Sequence, residues 1–176
     1  MKTPFLRTTE ALAFFREFMY GPLQGKRRIY EERNIRLGSV ITPSDWEVFA
    51  SLLVDRKGHG GVSGVDLGGF EVKSAMNDSG YEYQYHKETG KAKLHEDMQS
   101  GHLFFNHSDF LNRVELRFVS GAKAKVHFAK WLKNYPDPYP QRYRNKIPFN
   151  WVRDHGQLLL VLNHGKPTIH SGLDIL

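Results

Sequence analysis

Between Trp46 and Val72 the apolar residues of this chain change their spacing, and that change limits the class of fold. Trp46, Phe49, Leu52 and Leu53 recur at helical intervals, with Thr42 or Ser44 as cap and Pro43 near the start. A glycine-rich stretch follows, with Gly58, Gly60, Gly61 and Gly64. The period then becomes two: Val62–Leu67 and Phe70–Ala75 read as two short strands around Gly68-Gly69. A Gly-Gly pair between strands signals a hairpin, because a type I′ turn needs positive φ at both central residues.

The rest of the chain adds helices on both sides. A first helix is expected from Thr8 to Tyr20, ended by Gly21-Pro22, while residues 26–38 carry no decisive pattern. Tyr81–His86 and Lys91–Glu96 read as a second hairpin, turning at Glu88-Thr89-Gly90. Leu103–Phe105 and Val114–Phe118 are strand candidates. Residues 122–134 form a helix with Val126, Trp131 and Leu132 inward and the lysines outward. Pro136, Pro138 and Pro140 make an extended loop. Leu158–Leu162 is a buried strand, and Asn163-His164-Gly165 turns toward a last strand near Thr168. The order predicts an α/β fold, a mixed sheet flanked by helices, in a single domain over residues 1–176.

Composition narrows the chemistry. The chain has no cysteine, which excludes thiol catalysis, disulfides and Cys-ligated zinc. Lysine and arginine number 25 against 19 acids, a formal charge of +6, which favours polyanionic partners and nucleic acid first. No apolar run approaches a transmembrane length and no signal-type stretch opens the chain, so a cytoplasmic location is expected.

The segment Gly64-Val65-Asp66-Leu67-Gly68-Gly69-Phe70-Glu71-Val72-Lys73-Ser74 carries the chemistry. With a turn at Gly68-Gly69, Leu67 pairs with Phe70 and Asp66 lies opposite Glu71, their Cβ atoms roughly 5 Å apart. Lys73, two residues on, shares that face, while Leu67, Phe70 and Val72 point the other way into the core. Two carboxylates that close repel unless a cation lies between them, and an all-oxygen pair suits Mg²⁺, with Mn²⁺ as substitute. Such an ion acidifies water and stabilises charge on a phosphate, and Lys73 can hold the attacking water or neutralise the phosphoryl group. The same spacing also fits a solvated strand face with a cross-strand salt bridge.

Asp66 with Glu71-Val72-Lys73 resembles the PD-(D/E)xK nuclease superfamily, in which an Asp on one strand and Glu-x-Lys on the next hold metal and scissile phosphate. Asn145-Lys146-Ile147-Pro148-Phe149-Asn150-Trp151-Val152-Arg153-Asp154-His155-Gly156 resembles the Lys-Ile-Pro-x-x-aromatic-Val-x-x-His-Gly stretch of PvuII-type restriction endonucleases. Glu71-Val72-Lys73-Ser74 is similar to that family's Glu-Leu-Lys-Ser. The likeness spans about residues 60–156. It implies a restriction-endonuclease-like core over about 42–120 and a DNA-contacting segment over about 135–176. It implies a homodimer on double-stranded DNA, and catalysis by Asp66, Glu71 and Lys73 with the metal on Asp66 and Glu71. The sequence departs from the family in two ways: Val65 replaces the proline, and fewer residues separate the Asp from Glu71. Gly61 stands ten residues before Glu71 and cannot ligate, which leaves Asp66 or Asp55 as the metal-binding aspartate.

Glu47, on the helix before the strands, is a further candidate carboxylate or a solvated helix residue. Gln84 and His86, with Lys91 and Lys93 near the turn, suit a ribbon that enters the major groove, or an exposed charged rim. Arg142, Arg144, Asn145 and Lys146 form a basic loop before Ile147-Pro148. By its place in the family motif Asn145 reads bases, while Arg144 and Lys146 grip phosphates. A repair or junction-resolving nuclease of the same core, and a non-catalytic DNA-binding domain, remain as alternatives.

Overall fold

The computed structural model describes residues 4, 6–37, 41–58, 64–86, 88–136 and 141–170. The chain begins with α1 (Thr8–Phe14), which runs through a π-helical segment (Phe15–Tyr20) into α2 (Gly21–Glu32). Helix α3 (Pro43–Val54) follows, then β1 (Phe70–Met76), β2 (Tyr81–His86), α4 (Gly90–Asp97), β3 (Gly101–His107) and β4 (Arg113–Ser120). Helix α5 (Gly121–Lys133), β5 (Arg142–Ile147), α6 (Phe149–His155), β6 (Gln157–Asn163) and β7 (Lys166–Ile169) complete it.

Five strands form a mixed sheet in the order β1-β3-β4-β6-β7. β1 and β3 are parallel and every other neighbouring pair is antiparallel. β2 and β5 make a separate antiparallel ribbon. The expected α/β class with a mixed sheet is therefore present.

Pleating gives the sheet two different faces. Phe70 and Val72 of β1, Leu103 and Phe105 of β3, and Leu116 and Phe118 of β4 pack with Leu12 and Phe15 of the first helices and with Trp46, Phe49 and Leu53 of α3. On the other face, Ala75 and Phe104 pack with Tyr81, Tyr83 and Tyr85 of β2, Leu94 of α4, and Phe128 and Trp131 of α5. Glu71 and Lys73 belong to this second face, beside His102 and Phe104 in the parallel register.

Thr42 caps α3 as expected: its hydroxyl accepts the Asp45 N–H, and the Asp45 carboxylate accepts the Thr42 N–H. Several expectations fail. Gly21-Pro22 does not end the first helix. Gly21 N–H bonds back five residues to the Arg16 carbonyl, and this wider π turn makes room for a proline ring that would otherwise crowd the preceding turn. Residues 26–32 continue as helix, supported by the i,i+4 pairs Arg27–Glu31 and Arg28–Glu32.

Residues 91–96 are not a strand but part of α4, and β2 instead pairs with β5 across some 60 residues of chain. Arg144, Asn145 and Lys146 lie on that strand rather than in a loop. On α5, Trp131 is buried and Leu132 partly buried as expected, but Val126 is 62% exposed, and Ala124 and Phe128 complete the inner face. Of the strand expected at 62–67, Val62 and Ser63 lie outside the described residues, and residues 64–67 contribute a single bridge, Leu67 to Phe70. Most of the proline loop, residues 137–140, also lies outside the described residues. Among the described residues, no helix is long and apolar enough to cross a membrane.

Candidate active site

The Gly68-Gly69 turn closes as expected. Leu67 and Phe70 exchange both backbone hydrogen bonds, each 2.9 Å. Gly69 alone of the two has positive φ, at 87°, the sign pattern of a type II rather than a type I′ turn. The ladder stops there. The next strand donor, Val72 N–H, is taken at 2.7 Å by Oδ2 of Asp66, so a side chain replaces the missing backbone partner. That bond fixes Asp66 at the mouth of β1, within electrostatic reach of Glu71, Lys73 and Glu47.

Glu71 sits at the centre. It is 3% exposed. Its Oε1 meets Lys73 Nζ at 2.6 Å and its Oε2 meets Lys93 Nζ at 2.6 Å. Lys93 reaches Asp97 Oδ1 as well, at 2.9 Å. The second Asp97 oxygen accepts from the Tyr85 hydroxyl at 2.9 Å. The Asp97 carbonyl accepts from His102 Nε2 at 2.8 Å, which leaves Nδ1 to accept from the Tyr83 hydroxyl at 2.9 Å. The Tyr83 ring lies 5.2 Å below Lys73 Nζ. The contacts therefore close a ring: Glu71, Lys93, Asp97, His102, Tyr83, Lys73 and back to Glu71.

Gly121 seats this ring. A Cβ there would fall 2.5–2.7 Å from backbone atoms of Asp97, Met98 and Ser100, so only glycine lets the start of α5 approach the end of α4 so closely.

Burial and neighbouring charge set the ionisation. Burial, then the Glu71 charge, push the Asp66 carboxyl up to about 6. Burial would raise Glu71 too, but the two ammonium groups outweigh it and hold Glu71 below the usual carboxylate range. Burial and Glu71 raise Asp97 to about 6, against the pull of Lys93. Burial would lower Lys73 and Lys93, yet Glu71 with Asp66, and Glu71 with Asp97, raise them. Burial holds His102 neutral, at about 4.

A cleft of about 540 Å³ opens beside this cluster, lined by Asp66, Glu71, Lys93 and Glu96 together with Gln84 and His86. The residues expected to read or grip DNA divide between two faces. Directly opposed residues of a ribbon share a face. Gln84 and His86 share theirs with Arg144 and Arg142, and Glu82 shares it with Lys146. Glu82 approaches both Arg144, at 3.6 Å, and Lys146, at 4.0 Å. Asn145 is opposite Tyr83 on the inner, tyrosine face. Its amide nitrogen is buried with no hydrogen-bond partner among the described residues. Lys91 lies on the exposed side of α4, with Nζ 5.8 Å from the Tyr135 ring. Lys93, expected at a solvated turn, lies inside the cluster.

Asp55 does not join the site. It caps the end of α3 in the left-handed conformation and pairs with Arg7 at 3.1 Å on the surface. Glu47 is close enough for its charge to raise Asp66. Sequence reasoning missed Asp97 and His102. The i,i+4 spacing of Lys93 and Asp97 was a usable signal, but only for a segment recognised as helical.

Comparison with protein-family models finds no match, and comparison with curated proteins finds no significant match.

Proposed function

We propose that this chain is a Mg²⁺-dependent endonuclease of the site-specific restriction type, with a restriction-endonuclease-like core, cutting double-stranded DNA as a homodimer. One observation carries the reading. Asp66 and Glu71, with Lys73 on Glu71, share a cleft with Gln84 and His86. Acids suited to a metal thus stand beside long polar side chains suited to base edges.

The donors fit such an ion. Asp66 and Glu71 offer oxygen alone, and Mg²⁺ takes few carboxylates and keeps several waters. Burial first, and then the Glu71 charge, raise the Asp66 carboxyl, and a divalent cation on its oxygens would favour the ionised form against both. When bound, the ion would acidify a water molecule and neutralise charge on the phosphate. Asp66 and Glu71 would hold it. Lys73 would orient the attacking water or stabilise the phosphoryl charge from its seat on the Tyr83 ring. Arg142, Arg144 and Lys146, on the Gln84 face of the ribbon, would meet phosphates and hold the duplex in register.

The two ammonium groups on Glu71 favour one rival, a non-catalytic DNA-binding domain whose acids serve only in ion pairs. Incubation with mixed-sequence plasmid separates the readings. Discrete fragments with Mg²⁺ or Mn²⁺, none in excess EDTA, and retained DNA binding in EDTA are expected. Glu71→Gln should lower cleavage by several orders of magnitude with the fold intact by circular dichroism. Structure-dependent cuts would indicate a repair or resolving nuclease, and a shifted but intact band would indicate binding alone. Undiminished cutting in EDTA overturns the assignment of Asp66 and Glu71.

A further inference from the structure

The Glu-x-Lys pattern accounts for one lysine at Glu71, and the structure holds two. The second comes from α4. Lys93 Nζ lies 2.6 Å from Glu71 Oε2 and 2.9 Å from Asp97 Oδ1, a cation shared between two acids. Asp97 is 0% exposed and cannot follow Lys93 if it moves. Its other oxygen is tied to the Tyr85 hydroxyl and its carbonyl to His102. Glu71 is the shared member on the cleft side, where it faces Asp66.

We propose that Lys93 is a built-in counter-ion that a divalent cation displaces from Glu71, with Asp97 as the seat that retains it. This rests on the metal-dependent reading above. The physical argument is one of competition. An ammonium 2.6 Å from Oε2 of Glu71 and a divalent cation on the same oxygen repel each other at close range, so a metal ion bound there pushes Lys93 toward its other acid. A lysine with no other partner would resist displacement, because a half-buried charge would be left uncompensated. Lys93 keeps Asp97, so the exchange replaces one cation by another at Glu71 and breaks one ion pair rather than stranding a charge. Lys73 differs. Beyond Glu71 its direct contact is the Tyr83 ring, and the Asp66 charge acts on it only across space and would itself go to the metal, so the same exchange leaves Lys73 for the phosphate.

The two partners of Lys93 therefore act in opposite directions. Removing Lys93 removes the competitor. Removing the Asp97 charge removes the alternative seat and leaves Lys93 bound to Glu71 alone. A purely structural role for the cluster predicts weakening from both changes, because each disrupts the same buried network.

The experiment is calorimetric titration of the full chain with Mn²⁺ alone, without DNA, for wild type, Asp66→Asn, Lys93→Met, Asp97→Asn and the double variant Lys93→Met/Asp97→Asn. Wild type should bind Mn²⁺ and Asp66→Asn should not. Lys93→Met should bind about 10–100-fold more tightly, the size by which groups behind a metal ligand shift affinity. Asp97→Asn should bind more weakly than wild type. The double variant, a neutral pair that leaves no buried charge behind, should keep the fold and the tight binding. It carries the test should Lys93→Met alone fail to fold. Tight binding by the double variant with weak binding by Asp97→Asn supports the exchange. Weaker or unchanged binding on loss of Lys93, while wild type binds through Asp66, overturns this inference and leaves the nuclease reading standing. Wild type that neither binds Mn²⁺ nor cuts DNA overturns both.

Discussion

One step along β1 separates two interiors. Phe70 and Val72 enter a layer of aliphatic side chains, phenylalanines and Trp46, contributed by the first helices, α3 and the strands. Glu71 and Lys73 enter a second layer, in which four of the buried aromatic residues are tyrosines, Tyr81, Tyr83, Tyr85 and Tyr135. Both layers are buried, but among the described residues only the second contains buried charge, at Glu71 and Asp97, and a buried histidine, His102. The difference lies in the hydroxyls. An acid in the interior is tolerated only when its lone pairs are satisfied. Tyr85 supplies Asp97 and Tyr83 supplies His102, each at 2.9 Å. Phenylalanine at either position would fill the same space and leave an unpartnered acceptor. The layer beside the cleft is thus a hydrophobic core that can also hold a charged site in fixed geometry. The layer under α3 supplies rigidity alone.

The largest effect is expected in the dry layer. Phe105, fully buried against Trp46 and Phe49, should cost about 3–5 kcal/mol when changed to alanine. Urea denaturation measures it. Because the loss is one of packing, the nuclease activity proposed above should, in the remaining folded protein, run at the wild-type rate under native conditions. A folded Phe105→Ala variant with unchanged stability but abolished cutting would contradict this division between the layers.

A smaller effect is expected in the tyrosine layer. Tyr85→Phe removes one hydroxyl and almost no volume, and should cost about 1–3 kcal/mol, the penalty of an unsatisfied buried acceptor. Unlike Phe105→Ala, it should also alter the site, because Asp97 then holds Lys93 without its second anchor. Equal stability of Tyr85→Phe and wild type would mean that Asp97 finds its partner elsewhere.

The dry layer was the more legible of the two in the sequence. Its helix, α3, shows in the spacing of Trp46, Phe49 and Leu53, and its strands in the alternation around Phe70, Val72, Leu116 and Phe118, because apolar periodicity is a local signal. The Gly68-Gly69 turn, and with it the convergence of Asp66, Glu71 and Lys73, was legible for the same reason. The tyrosine layer was not. Its ribbon joins Tyr81–His86 to Arg142–Ile147, and nothing in either segment identifies so distant a partner. Helix α4 buries little more than Leu94 among its apolar residues, so it shows no stripe, and in sequence it reads as the second strand of a hairpin with Tyr81–His86. Lys93 and Asp97 look like ordinary surface charges until the fold closes over them. Pro22 misled for another reason: the π turn that accommodates it has no sequence signature of its own.

The effect that is smallest per step of the measurement concerns pH, since it accumulates only gradually along the titration, and it separates the layers without altering their packing. His102 has its pKa lowered by burial from 6.5 to about 4. Between those values the unfolded chain takes up a proton that the folded protein refuses, so the contribution of His102 to stability falls as pH drops from 6.5 to 4. The slope approaches about 1.4 kcal/mol per pH unit. Asp66 and Asp97 act with the opposite sign. Their folded values, raised to about 6 from 3.8, make the native state bind protons first, so they add stability as pH falls through the same range. Wild type shows the sum, in which these slopes partly cancel. His102→Gln removes one contributor and keeps an uncharged donor and acceptor. The stability advantage of wild type over this variant should therefore shrink steadily from pH 6.5 to 4 and be flat above 6.5. Phe105→Ala, which removes no titratable group, should show the same deficit at every pH. Urea midpoints at pH 7, 6, 5 and 4 for the three proteins make the measurement. An advantage over His102→Gln that stays constant across that range would mean that His102 is protonated as readily in the folded layer as in water. The tyrosine layer would then be wetter than its closed ring of contacts implies.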